Sequence, residues 1–378
     1  MLAPVVGVSR SRRVGIWLAV CALLVLAMIV VGGITRVTRS GLSITTWDPV
    51  TGALPPIGEQ AWRDAFARYQ ASPEGRLVNA GMSLPQFQSI YFVEWAHRLL
   101  GRLVGVIVAV PLVVFLGRRE LSIRRAAPLV GLFVAGAAQG ALGWYMVSSG
   151  LVDEPHVSPF RLASHLLLGM TLLGWLAWSA HGELAPPRAV SCGSTRRWAL
   201  STLVMIGVTV AYGALMAGHH AGFFATTFPT MNGAWLPADV RLGSVRGLLA
   251  DGLTIHFVHR ALAFATSIMA VATAASAWRC RSARVRAAAL LAVGVVAGQI
   301  TLGALLVVRL VPPGLAVLHQ ANAAFLVVSV VALLREVTIR HTDDISQPDR
   351  AGTTQESGPQ WPSTSSRAPR SAARLTTR

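Results

Sequence analysis

The chain carries eight long apolar runs, at 14–34, 90–116, 126–147, 160–180, 198–217, 253–278, 285–308 and 313–334. A helix needs roughly 20 apolar residues to cross about 30 Å of hydrocarbon. Inside lipid its backbone polar groups must be satisfied within the segment itself. The runs therefore predict an all-α integral membrane protein with eight transmembrane helices. Only 13% of the residues are charged and 53% are hydrophobic, against about 25% charged in soluble domains. A cytosolic globule, a collagen-like chain and a wholly disordered chain are excluded. The net charge is +17, but the basic residues, all arginine, do not form one patch. They lie in short clusters between the runs, so the charge reads as membrane topology and not as nucleic-acid binding.

Arg10, Arg12 and Arg13 precede the first run, and Arg118, Arg119, Arg124 and Arg125 follow the second. Arg188, Arg196 and Arg197 follow the fourth, Arg279, Arg281, Arg284 and Arg286 the sixth, and Arg335 and Arg340 the last. With eight spans all of these fall on one side, which the positive-inside rule makes cytoplasmic. The expected location is a bacterial inner membrane, with both termini in the cytoplasm and the loops 35–89 and 218–252 outside. Trp17, Trp178, Trp198 and Trp278 mark the inner boundary. The first run exceeds a signal-peptide core and lacks a small-x-small cleavage site, so it reads as a retained span. Residues 336–378 read as a disordered cytoplasmic tail. Cys21, Cys192 and Cys280 are too few for a disulfide framework or a four-thiolate metal site, and none lies in an outer loop.

Four matches recur in the same order. Thr45-Thr46-Trp47 and Gly52-Ala53-Leu54-Pro55-Pro56 correspond to Thr226-Thr227-Phe228 and Gly233-Ala234-Trp235-Leu236-Pro237. Glu94-Trp95-Ala96-His97-Arg98 corresponds to His256-Phe257-Val258-His259-Arg260, and Gln139-Gly140-Ala141-Leu142-Gly143 to Gln299-Ile300-Thr301-Leu302-Gly303. Leu162-Ala163 before His165 corresponds to Leu315-Ala316 before His319. At separations of roughly 150 to 180 residues these mark an internal duplication. The chain reads as an N-terminus at 1–13, a four-helix unit at 14–181, a cytoplasmic linker at 182–197, a second four-helix unit at 198–335, and the tail. Each unit starts inside, so the repeat is parallel, with a pseudo-twofold axis.

His97, His165, His259 and His319 fall at corresponding places on the second and fourth helix of each unit. Each is about 7–12 Å from the outer end of its run at 1.5 Å per residue. Facing imidazoles in a bundle suit the two axial positions of a haem. A lone membrane histidine more often bonds a neighbouring helix, but four at matched depth argue for paired sites. A zinc site would want further Cys, Asp or Glu. A histidine proton relay would not explain one pair in each unit. Glu94, an acid within a span, shares a helix face with His97. It reads either as an ion pair with Arg98 or as a catalytic proton acceptor or charge stabiliser. The second unit has His256 there, which suggests one reactive and one auxiliary site. Arg98 and Arg260 are candidate partners for haem propionates, or structural. His219 and His220 cannot share one helix face, so at most one is functional. His156, His181 and His341 read as solvated or interfacial.

On these residues the sequence resembles the haem A synthase family of proteobacterial and mitochondrial type. The most specific stretch is Gly33-Ile34-Thr35-Arg36-Val37-Thr38-Arg39-Ser40-Gly41-Leu42-Ser43-Ile44-Thr45. It continues through Trp47, Pro49-Val50-Thr51-Gly52, Asn79, Gly81-Met82, Gly101-Arg102, Phe228-Pro229-Thr230-Met231-Asn232-Gly233 and His319-Gln320. The resemblance implies oxidation of the C8 methyl of haem O to a formyl group through a hydroxymethyl intermediate, giving haem A for haem-copper oxidases. It implies the substrate haem at His97 and His165, with Glu94 matching the family's Glu-x-x-His, and a haem b cofactor between His259 and His319. Expected partners are haem O, haem O synthase, cytochrome oxidase assembly factors, lipid and an electron acceptor that the sequence does not identify. A homo-oligomer is open, and no nucleic acid is expected. Alternative functions are a two-haem b-type cytochrome for electron transfer and a haem chaperone or transporter without chemistry.

Overall fold

The computed structural model describes residues 11–185 and 192–338. Arg10, Arg188, Arg340, His341 and the rest of the tail lie outside them. Eleven α-helices occur among the described residues, and eight are long and apolar enough to cross a membrane. These eight are α1 (Arg12–Val37), α4 (Leu84–Gly117), α5 (Ile123–Ser148), α6 (Pro159–Leu184), α7 (Gly193–Gly218), α9 (Gly252–Ala277), α10 (Ala283–Val308) and α11 (Pro313–Glu336). The chain is thus a multi-pass membrane protein. Most helices exceed their apolar runs because polar groups outside lipid extend them. At α4, Ser83 and Gln86 form a capping box with Ser83 N donating to Gln86 Oε1 at 2.9 Å. That cap starts the helix at Leu84, six residues before the apolar run (90 − 84). Asp251 caps α9 by accepting from Thr254 N at 2.8 Å and Thr254 Oγ1 at 2.6 Å. These two bonds hold its carboxyl below the usual range. Proline opens α6 and α11, where its missing N–H is not needed.

The contacts follow the sequence repeat. Helix α1 packs on α4 and α6, and α5 packs on both α4 and α6. Likewise α7 packs on α9 and α11, and α10 packs on both α9 and α11. Between the sets, α1 meets α11, α7 meets α6, and α6 meets α11. In neither set do the two histidine-bearing helices, α4 with α6 or α9 with α11, make an extended contact. All the spans belong to one compact unit.

The two halves are bonded differently inside. Along α7 a hydroxyl recurs every seventh residue, at Thr195, Thr202 and Thr209, and each meets a hydroxyl of α9. Thr209 meets Thr266 at 3.0 Å, Thr202 meets Thr273 at 2.9 Å, and Ser276 donates to Thr195 at 3.2 Å. Hydroxyl pairs join membrane helices because nothing in lipid competes for them. The corresponding α1–α4 region has apolar packing, with Trp17, Leu18, Cys21, Val108 and Leu112 buried together.

One end of the helices gathers the arginine-rich connections. Arg125 donates to Glu183 at 2.6 Å, and Arg335 lies 4.7 Å over the Trp178 ring. His181, expected to be solvated or interfacial, meets Glu336 at 3.0 Å. Cys192 and Cys280 are disulfide-bonded at this end, a pairing the sequence reading did not anticipate.

At the other end the loop 35–89 is not the plain connection its length suggests. It carries α2 (Glu59–Gln70) and α3 (Pro73–Leu77). Ala65 and Tyr69 of α2 bury themselves on Phe87 of α4, flanked by Trp62, Phe66 and Tyr91. Helix α3 starts at Ser72, whose Oγ accepts from Gly75 N at 3.2 Å. The second outer loop repeats the device: Ser244 Oγ accepts from Gly247 N at 3.0 Å at the start of α8 (Val245–Ala250).

A side chain at Gly75 would collide with the Tyr69 carbonyl oxygen and lie 2.8 Å from Gln70 Cα. Both are backbone atoms that cannot swing away. Gly75→Ala should therefore cost about 1–3 kcal/mol of local stability. Limited proteolysis should then cut 59–83 faster than in the parent, while Gly81→Ala, which meets nothing within 4 Å, should leave the rate unchanged.

Candidate functional site

Each of the four histidines stands against a glycine of a neighbouring helix. A Cβ built at Gly32 of α1 would lie 2.8 Å from His97 Cε1, and one at Gly143 of α5 would lie 2.9 Å from His165 Cε1. In the second half, Gly213 of α7 faces His259 Cε1 at 3.1 Å and Gly303 of α10 faces His319 Cε1 at 3.1 Å. The glycine removes the one substituent that would push the ring off that helix. His165 lies within electrostatic reach of His97, and His259 within reach of His319.

The bonds to three of these rings put the lone pair on Nε2, and in His319 and His165 a glutamine amide meets it. His259 Nδ1 lies 3.2 Å from the Thr209 carbonyl oxygen, which requires the proton on Nδ1. The Gln299 amide donates to His319 Nε2 at 3.1 Å, and the Gln139 amide to His165 Nε2 at 3.4 Å. Nδ1 of His97, His165 and His319 has no partner among the protein groups. Asn322 holds Gln299 by donating to its Oε1 at 2.8 Å. Gln139 is held otherwise, donating to the His165 carbonyl oxygen at 3.0 Å.

These residues fit a haem in each half. Each half sets two imidazoles against glycines on helices that stand apart, and an iron at Nε2 would take the place of the Gln139 amide on His165 or the Gln299 amide on His319. Among the described residues no three His, Cys, Asp or Glu converge as a metal-ligand group.

Glu94 is buried at 3% exposure. Its Oε1 accepts from Arg98 Nη2 at 2.8 Å and Arg98 Nε at 3.1 Å. Its Oε2 accepts from Ser43 Oγ and from Ile44 N, each at 2.8 Å. Arg98 also donates to the carbonyls of Thr46 and Ile44, both at 2.9 Å. The carboxylate and the guanidinium together fasten the strap 43–46 across the outer face of α4. The second half repeats this with a different acceptor. Arg260 Nε donates to His256 Nε2 at 2.9 Å. Its remaining nitrogens donate to the carbonyls of Thr227 at 2.9 Å, Thr230 at 3.2 Å and Ala225 at 3.2 Å. His256 is therefore occupied by Arg260, and His259 is the histidine that faces His319.

The halves also touch beside the sites. Gln320, next to His319, donates to the Ile29 carbonyl of α1 at 2.7 Å. Arg36 of α1 donates to the Ala217 carbonyl of α7 at 2.8 Å. Of the other histidines, His156 and His220 stack edge to face at 6.0 Å, and His219 Nε2 is buried without a partner.

Sequence reasoning missed Glu74 of α3, which is 4% exposed and has an oxygen, Oε2, without a hydrogen-bond partner. Its only signal was the Ser-x-x-Gly start of a short helix, repeated at Ser244.

A family model described as cytochrome oxidase assembly protein, COX15-CtaA, matches residues 15–331. The chain is 45% identical over 325 residues to a haem A synthase of Caulobacter sp. (strain K31), covering 84% of this chain and 94% of that one. It is 43% identical over 331 residues to a haem A synthase of Caulobacter vibrioides, covering 86% and 96%. To a haem A synthase of Rhodospirillum centenum it is 41% identical over 334 residues, covering 86% and 89%.

The glycine contacts make a matched test. Gly143→Val and Gly303→Val should displace His165 and His319 by roughly 1 Å, enough to disturb an axial bond. Haem retained through purification should fall in each. Gly136→Val and Gly294→Val, where a Cβ meets nothing within 4 Å, should retain the parent amount.

Proposed function

We infer from the COX15-CtaA family of cytochrome oxidase assembly proteins, to which this chain belongs, that it is a haem A synthase, a membrane enzyme converting haem O to haem A. The reaction class is oxidation of the C8 methyl of haem O to a formyl group, through a hydroxymethyl intermediate. The substrate haem lies in the N-terminal unit, 14–181, between His97 and His165. The C-terminal unit, 198–335, holds haem b between His259 and His319. When bound, that haem supplies a one-electron redox centre beside the reacting half. The arginine clusters between the spans support a bacterial inner-membrane location with both termini in the cytoplasm, with haem O synthase and oxidase assembly factors as its natural neighbours.

The observation that carries the division of labour is the contrast between Glu94 and His256. Both sit three residues before a histidine and both accept from the arginine four residues on. Only the first half places a carboxylate there. Two arginine bonds and the Ser43 and Ile44 donors hold Glu94 as a fixed negative charge beside His97. A preorganised charge in a site from which water is excluded stabilises positive charge that develops on the substrate. The strap that it holds covers the outer side of the site. Arg98 has an N–H left at Nη1 and Arg260 one at Nη2, and these are the donors available to a propionate.

Glu94→Gln keeps the shape and removes the charge. It should insert, retain the haem of the C-terminal half, and accumulate haem O or the hydroxymethyl haem. Haem A formed per protein molecule should fall by about 10²-fold or more, measured by adding haem O to the purified protein and weighing the products. A near-normal ratio with a lower yield of protein would make Glu94 a structural ion-pair partner instead. In the other half, His259→Ala and His319→Ala should each lose the low-spin b-type spectrum, and His256→Ala should keep it.

A further inference from the structure

Glu94 has no free acceptor site. Both of its oxygens already take two donors each, and its arginine partner is bound at the same time to the strap. A carboxylate so saturated is suited to hold charge and poorly suited to exchange protons. Glu74 has the opposite properties. It is buried on the outer cap of the same half, and its Oε2 has no hydrogen-bond partner among the described residues. Three groups act on it electrostatically or are acted on by it: Glu94 on α4, Arg39 on the connection after α1, and Tyr69 on α2. Arg39 is exposed, so one of the three lies at the protein surface. Tyr69 is itself engaged, its hydroxyl accepting from Asn79 at 2.6 Å.

The duplication sharpens the point. Aligning the two Ser-x-x-Gly helix starts puts Arg246 opposite Glu74, just as His256 stands opposite Glu94. Arg246 is exposed. The N-terminal half thus has two buried carboxyls where the C-terminal half has basic groups. Both belong to the half that we read as the reacting one, and the proposal rests on that reading.

We propose that Glu74 is a proton-relay residue of the N-terminal site, passing to the outer aqueous phase the protons set free when water supplies the oxygen and an external electron acceptor takes two electrons per step, the methyl group plus water giving the hydroxymethyl group, two protons and two electrons. The carboxylate Oε2 gains a proton and later loses it, so Glu74 ends each cycle unchanged and no electron passes through it. Burial raises its carboxyl to about 7, with the Glu94 charge adding to the rise and Arg39 opposing it. A group poised there exchanges protons in both directions near neutral pH.

The sign of the linked stability gives a control. The folded state holds this proton between the ordinary carboxyl range and about pH 7. Stability is then highest below that window and is lost as pH rises through it. Glu74→Gln removes the penalty, so the variant should be at least as stable as the parent at pH 8. A loss of turnover in it is then not a folding defect.

The test uses the full-length, haem-loaded protein in detergent. Infrared difference spectra across pH 6 to 8 should show one buried carboxyl titrating near pH 7, absent in Glu74→Gln and present in Glu94→Gln. Conversion of added haem O should rise with pH through the same midpoint in the parent. Glu74→Gln should be roughly tenfold slower or more and lack that inflection, and Glu74→Asp should restore it. An infrared signal that survives in Glu74→Gln, or parental turnover with the parental pH profile in that variant, would overturn the proposal. If the parent converts no haem O at any pH, the enzymatic reading fails and the relay falls with it. If the parent converts haem O and only the Glu74 outcomes fail, the enzymatic reading stands alone.

Discussion

In each half an arginine one residue beyond a histidine fastens an extended outer segment to a membrane helix. Arg98 binds the carbonyls of Ile44 and Thr46, and Arg260 those of Ala225, Thr227 and Thr230. Successive residues of a helix are about 100° apart, so the arginine and its histidine point to different sides. The outer segment is therefore held without occupying the face that carries His97 or His259. The guanidinium suits this task because its donors form a rigid fork. The site geometry depends on this clamp. The strap brings Ser43 and Ile44 to Glu94, and α2 and α3 fold back over the same end of α4.

The two halves share this frame and spend it differently. The N-terminal half pairs its clamp with a buried carboxylate and covers it with an aromatic-lined cap. The C-terminal half pairs its clamp with His256 and joins α7 to α9 by hydroxyl pairs. It also fixes Gln299 through Asn322, whereas Gln139 bonds the backbone of α6. A tightly fixed histidine pair suits a haem that only exchanges electrons. A site with negative charge and a separate outer cover suits a substrate that must enter, react and leave. Gly32 and Gly33 of α1 stand against His97 and Gln320, so one helix turn touches both sites.

The spans were legible in the sequence because lipid leaves few alternatives: an apolar run of sufficient length has to be a helix. Their ends were less so, since Ser83 and Gln86 extend α4 outside lipid, where hydropathy carries no signal. The four histidines were singled out through the sequence repeat, and the structure sets a glycine opposite each ring. Arg98 and Arg260 were read as propionate partners or as structural, and each also holds backbone carbonyls of an outer segment. Spacing along a helix says which side a residue faces but not which loop returns to meet it. Glu74 was missed for the same reason. Its burial depends on α3 folding under Tyr69, a tertiary event without hydrophobic periodicity. The Cys192–Cys280 pair joins residues separated by 88 positions, which no local pattern reports.

The central claim is that one half holds the substrate haem and the other a permanent haem b. Mass analysis of the pigments that copurify with the full chain, from cells that make haem O, tests it most directly. The account predicts haem B together with haem O or an oxidised derivative. In His259→Ala the haem B should be lost selectively, and in His97→Ala the haem O-derived pigment. Two equivalents of haem B per chain, unaffected in kind by either substitution, would contradict it and leave a b-type electron carrier.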